Sequence, residues 1–252
     1  MIIKERIITL EDIEKLNNEE NSEIILKNTK GQNAEIFEML NSNVKVKIIS
    51  GYDANINSKF NDEKYVKRTL YDAKTVAAVI RKFEDFEKNI DTNWTDLEKS
   101  LYMFIKLVNL INYDYNNESK MEPRNLSAML TKLSRCAGYS ICFKEAMDRL
   151  GIENEFRNVS NIHSFNAIKI NGEWRLIDLT WAKNMRNNTL NSKSYLKHFG
   201  MFPLHKTNPI THCPPDYPKL DYKLFYKKEV LSALKTIAPA LNTKTNLKDP
   251  QM

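Results

Sequence analysis

No apolar run in this chain approaches the roughly 20 residues that a membrane-spanning helix needs. The opening MIIKERIITLEDIEKL places charges where a secretory leader requires its apolar segment. Neither a membrane anchor nor a standard leader is expected, and a soluble cytoplasmic protein is, although export by a route that reads no such leader would leave the same sequence. Cysteine is scarce. The three present, Cys136, Cys142 and Cys213, are odd in number and form no disulfide framework, which suggests a reducing compartment. Cys213 sits in His212-Cys213-Pro214-Pro215 with His198 and His205 upstream, but the paired ligand spacing of a zinc site is missing. An acidic D-x-D-x-D loop is missing too, which argues against calcium activation. No metal or other cofactor is expected. A basic stripe with interleaved aromatics is also lacking, apart from a faint trace at Tyr222-Lys223-Leu224-Phe225-Tyr226-Lys227-Lys228. The net charge of +6 comes from lysine and acid mixed along the chain, as on solvated faces. Nucleic-acid and membrane partners are therefore not expected, and the oligomeric state is left open.

What is present is enough for a large core: 252 residues, of which 42% are hydrophobic. Residues 1–60 read as a small α/β region. A helix is expected from Thr9 to about Leu16, a strand at Ser22–Leu26, a helix at Asn33–Leu40 and a strand at Val44–Ile49. The polar stretch GYDANINSKFN, residues 51–61, is the expected boundary. Residues 61–240 would form the second unit, and 241–252 a polar tail. Helical stripes of apolar residues run over Asp72–Asn89 and over Thr95–Ile111, the latter with Thr95 as a helix cap and Asp96 and Glu98 in its first turn. A loop from Asn112 through Pro123 and a short segment Leu126–Leu133 then lead to Cys136.

Cys136 opens another helical pattern, Ile141, Phe143, Ala146, Met147 and Leu150, which Gly151 can end. A cysteine at the first turn of a buried helix meets unpaired backbone N–H groups and the positive end of the helix dipole, both of which favour thiolate. Cys142, inside the same helix, reads as core filler. Beyond the helix the period changes to two over Glu155–Val159, His163–Ile170 and Trp174–Leu179, with Asn171-Gly172 as a two-residue turn. If that turn sets the register, the numbers of paired residues sum to 343 and His163 lies nominally opposite Thr180. Asp178 is then a diagonal neighbour of His163 on the same face, roughly 7–8 Å away by backbone and within side-chain reach. The carboxylate can orient the imidazole, and the imidazole can take the thiol proton. Alternation also puts Trp174 on the face of Asp178, where packing beneath or beside the Cys136 helix is expected. Trp181, at the strand end, is expected to cap the carboxylate with its indole N–H or to cover it from water.

The segment C-A-G-Y-S at Cys136, H-S-F-N at His163 and D-L-T-W at Asp178 resemble the three motifs of the transglutaminase-like superfamily of papain-related Cys-His-Asp enzymes, over about residues 95–205. The resemblance implies an α+β core in which a helix starting at the nucleophile packs on an antiparallel sheet carrying His and Asp. It implies Cys136 as nucleophile, His163 as general base and acid, and Asp178 as orienting carboxylate. Two positions depart from the pattern, Phe165 where tryptophan is common and Arg135 where a small or β-branched residue is common; both bear on substrate preference. The segment Tyr195–His205 resembles one that flanks the cleft in such enzymes, which makes His205 and His212 candidate cleft residues. Acyl transfer would pass through an oxyanion and a thioester, with the Cys136 backbone N–H as one oxyanion donor and Tyr113, Tyr115 or Asn125 as candidates for a second. The expected reaction is hydrolysis of a protein or peptide amide, by a peptidase or an amidase/deamidase. The alternatives are transglutaminase crosslinking of glutamine to primary amines and an inactive peptide-binding relative.

Overall fold

The computed structural model describes residues 2–49, 69–159, 163–182, 199–203 and 227–241. The expected boundary at 51–61 lies outside them. The first sheet comprises β1 (Ile2–Lys4), β2 (Glu23–Leu26), β3 (Lys45–Ile48) and β4 (Leu70–Asp72), in that spatial order. Its first three strands are parallel, joined by helices α1 (Leu10–Asn18) and α2 (Ala34–Glu38), and β4 closes the edge antiparallel to β3. The two inner strands and both helices fall where the apolar periodicity places them. β1 and β4 are the additions. Three residues are too few for alternation to show, and Leu70–Asp72 runs directly into the helix whose cap is Asp72.

Helix α3 (Ala73–Glu87) begins at Asp72, which accepts hydrogen bonds from the Thr75 N–H and hydroxyl, both at 2.8 Å. Helix α4 (Asp96–Leu110) begins with the reciprocal Thr95–Glu98 capping box, a feature worth about 1 kcal/mol. A two-stranded parallel ladder, β5 (Asn112–Tyr113) with β6 (Leu133–Ser134), and the one-turn helix α5 (Ala128–Thr131) then bring the chain to α6 (Cys136–Leu150). The second sheet has the order β10 (Phe199–Pro203), β9 (Glu173–Ile177), β8 (His163–Ile170), β7 (Asn154–Val159), antiparallel throughout. Helix α7 (Lys227–Leu241) packs on α4. The architecture is α+β. Among the described residues no helix is long and apolar enough to cross a membrane.

One connected cluster of buried apolar side chains runs from Ile3 in β1 to Leu241 at the end of α7. Helix α6 is central to it: Tyr139, Cys142, Phe143, Ala146 and Met147 are fully buried. The same helix ties down the N-terminal region through polar contacts. Glu145, fully buried, accepts hydrogen bonds from the Thr29 N–H and hydroxyl at 2.5 Å each. One turn later Arg149 forms a fork on Glu87 of α3, at 2.6 and 2.8 Å, and donates to the Thr29 carbonyl at 2.9 Å. A carboxylate taken out of water is tolerable only when such donors surround it.

Thr29→Val keeps side-chain shape and removes one of the donors to buried Glu145. It is expected to lower stability by about 1.5–3 kcal/mol, read as a lower denaturant midpoint at unchanged slope. An unchanged midpoint would show that Glu145 does not depend on that hydroxyl.

Candidate active site

Cys136 is the first residue of α6, and the chain enters the helix through Arg135 in an extended conformation (φ −93°, ψ 172°). That entry is fixed by the segment before α5. The Pro123 carbonyl accepts from the Arg135 N–H and from the Ser134 hydroxyl, each at 2.8 Å. The crossing is so close that a Cβ on Gly138 would lie 2.1 Å from Ser134 Oγ and 2.9 Å from the Pro123 oxygen. Glycine two residues after the cysteine is therefore a steric requirement of the approach. From within the helix, the Tyr139 hydroxyl donates to the Ile111 carbonyl at 2.8 Å.

The hairpin supplies the other two groups. Its ladder pairs Asn166 with Ile177, Ala167 with Leu176 and Ile170 with Glu173, so paired numbers sum to 343 as the turn predicts. Asn171 and Gly172 both have positive φ, 52° and 82°, the backbone of a type I′ turn that suits the twist of the strands. His163 is the first residue of β8, and Asp178 is the first beyond β9. Asp178, 2% exposed, lies with Oδ2 2.6 Å from His163 Nε2, while Oδ1 accepts the backbone N–H of Trp181 at 3.1 Å. The imidazole is also hydrogen-bonded to the Cys136 thiol. Backbone N–H groups of Ser164 and Ala137 also point to the sulfur. All three residues singled out from the sequence thus stand together at the end of the sheet, beside the first turn of α6.

The two titrating groups reinforce each other. Burial by itself would raise the Cys136 thiol. The bond to His163, the imidazolium charge and the two backbone N–H groups overcome it and leave the thiol below its ordinary value. Burial by itself would lower His163, yet Asp178 and the Cys136 sulfur push it up to about 10. Thiolate and imidazolium are each favoured by the presence of the other, so the pair titrates as a unit. Cys142 has the opposite fate, since full burial pushes its thiol well up. The surroundings of the ring are aromatic. Phe165 stacks on it at 6.2 Å and 24°, and Trp181 meets it edge-on at 6.1 Å and 65°.

One expectation needs correction. Trp174 shares a face with Asp178 by alternation, but that is not the face on which α6 lies. Helix α6 takes the face of Asn166, Ile168 and Ile170, where Asn166 Nδ2 donates to the Ser140 carbonyl at 2.9 Å. Trp174 instead lies beside its register partner Lys169, whose Nζ is 6.0 Å from the ring centre. Period-two alternation says which residues share a face and not which face a helix will cover. The Trp181 backbone N–H, at the turn after the strand, donates to Asp178 Oδ1.

Of the proposed oxyanion side chains, Asn125 is buried and its Oδ1 accepts the Ser127 N–H at 2.8 Å. Tyr115 is 62% exposed, and Tyr113 lies under the Arg135 guanidinium, 5.7 Å from its ring centre. The convergence of the Ser164 N–H on the sulfur was not foreseen; its signal is simply the residue that follows the histidine. His198, His205, His212 and Cys213 lie outside the described residues. Among the described residues no three His, Cys, Asp or Glu side chains are grouped to hold a metal.

A scan of family models and a search of curated proteins gave no match for this chain. Among solved structures it is similar to a proposed cysteine protease from Cytophaga hutchinsonii, with a TM-score of 0.32 and 14% identity over 51% of this chain and 43% of that one. It is also similar to a TGase, with a TM-score of 0.27 and 14% identity over 79% of this chain and 64% of that one. The chain spans less than two thirds of the length of either. At this degree of overlap the likenesses carry no argument, and the site stands on its own geometry.

Proposed function

We propose that the chain is a cysteine-dependent acyl-transfer enzyme that hydrolyses peptide or side-chain amides of protein or peptide substrates through a thioester. The observation that carries this reading is the continuous contact from the Asp178 carboxylate through the His163 imidazole to the Cys136 thiol, with the thiol lowered and the imidazole raised. In this reading the Cys136 thiolate attacks the amide carbon, forming a C–S bond and a tetrahedral oxyanion. Imidazolium His163 passes its proton to the leaving amine as the C–N bond breaks. The neutral imidazole then takes a proton from water, which attacks the thioester and releases the acid, the C–S bond breaking to restore the thiolate–imidazolium pair. Asp178 keeps the ring in place and offsets its positive charge in both halves. The Cys136 backbone N–H, at the start of α6, is the proposed oxyanion donor.

Only the attacking group separates hydrolysis from transamidation, so product mass decides between them. Incubated with candidate proteins, the enzyme is expected to leave either a cleavage or a conversion of amide to acid, with Cys136→Ala folded and inert. A covalent adduct with an added primary amine would replace hydrolysis by crosslinking. Turnover retained in folded Cys136→Ala would end the reading of Cys136 as nucleophile, whereas no turnover of any candidate by the folded parent would leave a peptide-binding role.

Asp178→Asn preserves shape and is expected to slow acylation by about two to four orders of magnitude at unchanged thermal stability. A loss of less than about tenfold would mean that His163 is oriented without the carboxylate. Trp181→Phe keeps the backbone donor and a ring against His163, so turnover should stay within about threefold of the parent, whereas Trp181→Ala should lose about tenfold or more by uncovering the imidazole. Equal turnover in all three would assign Trp181 to packing.

A further inference from the structure

Arg135 immediately precedes Cys136 and is distinctive among the described arginines. Each of the others has a carboxylate partner: Arg6 with Asp12, Arg81 with Glu38, Arg124 with Glu122, Arg149 with Glu87, Arg157 with Glu155 and Arg175 with Glu173. Arg135 has none among the described residues. Its guanidinium makes one long hydrogen bond, Nη2 to Asn117 Oδ1 at 3.5 Å, and its Nε is buried without a partner. Its guanidinium carbon lies over the Tyr113 ring, 5.7 Å from the ring centre. Tyr113 is fixed in turn, since the β5–β6 ladder pairs it with Ser134, the residue before Arg135.

We propose that Arg135, seated on Tyr113, is a carboxylate subsite beside the nucleophile, and that the substrate carries a carboxylate next to the amide that Cys136 attacks. The proposal rests on the reading of Cys136 as a thiolate nucleophile and specifies what it selects. A guanidinium presents a planar fork of donors that matches a carboxylate, and it gives up its hydration more readily than an ammonium does. An aromatic shelf beneath it holds the fork in one orientation and adds a cation–π contact. Arg135 caps α6 and Cys136 is its first residue, so a substrate seated on the sulfur need extend only by about the length of an arginine side chain to meet the guanidinium. The carboxylate could be an acidic side chain or a chain terminus; the fork binds either. The net charge of +6 would also draw acidic partners towards the surface.

Two small alkylating reagents test the subsite without knowledge of the substrate. Iodoacetate and iodoacetamide react alike: the thiolate sulfur bonds to the methylene carbon and iodide leaves. They differ in that only the first carries a carboxylate. Labelling of Cys136, followed by peptide mass spectrometry, should show a rate ratio of iodoacetate to iodoacetamide about tenfold higher in the parent than in Arg135→Gln, the effect of one unit charge at close range in a partly solvated cleft. Arg135→Lys should fall between them. His163 is present in all three proteins, so its charge cancels from the comparison. A second measurement needs no variant. N-acetylglutamine, whose one anion is a terminal carboxylate, and N-acetylisoglutamine, whose one anion is a side-chain carboxylate, should slow iodoacetamide labelling of the parent. The neutral N-acetylglutaminamide should slow it less, and the better protector of the two acids identifies which carboxylate the site takes. Equal rate ratios in parent and Arg135→Gln, or protection no better from the acids than from the neutral amide, would overturn the subsite. With Cys136 still labelled ahead of Cys142, the nucleophile reading would survive that outcome. Failure of both reagents to label Cys136 would remove both.

Discussion

The short contact between His163 and Asp178 is the constraint on which the site depends. A half-buried imidazole beside a half-buried thiol would, from desolvation alone, be pushed toward the neutral forms. The Asp178 carboxylate reverses that balance. It favours the charged ring, the charged ring favours the thiolate, and the Ser164 and Ala137 backbone N–H groups favour it further. The carboxylate is held in turn by the Trp181 backbone N–H and shielded from water. Charge at the sulfur therefore rests on the imidazolium that Asp178 supports and on two backbone N–H groups.

Much of the rest of the chain keeps the sulfur level with that imidazolium. Pro123 fixes the entry to α6, and Gly138 lets the crossing strand of backbone come close. Asn166 joins the first turns of α6 to the strand that carries His163. Further along, Glu145 and Arg149 anchor the same helix to Thr29 and to α3. The helix is thus held at both ends by polar contacts as well as by its apolar face, a rigid mount of the kind that positioned chemistry needs.

The hairpin and the cysteine helix were legible in the sequence because local rules determine them. An Asn-Gly turn sets the register, a period of two sets which residues share a face, and an apolar stripe marks the helix. What was not legible depended on groups far apart in the chain or on elements too short for a period. The bond from Thr29 to Glu145 spans 116 residues. β1 and β4 are three residues each. The face that receives α6, and with it the surroundings of Trp174, is decided by packing between elements. Backbone donors such as the Ser164 N–H leave no mark on residue type. Arg135 stood out in the sequence as a departure before Cys136, and its lack of a carboxylate partner became visible only beside six arginines that have one.

The thiolate–imidazolium pair itself is open to direct titration. Ultraviolet thiolate absorbance, taken as the difference between the parent and Cys136→Ser, reports the sulfur without a substrate. Because Cys136 lies below and His163 above their ordinary values, the difference signal should appear below the ordinary thiol value of 9.0. It should persist as the pH rises through about 10, where the imidazolium loses its proton. In His163→Ala the first step should move up toward that of a free thiol. A parent signal that arises only at or above the ordinary thiol value, unchanged by His163→Ala, would contradict the ion pair and with it the account of the site.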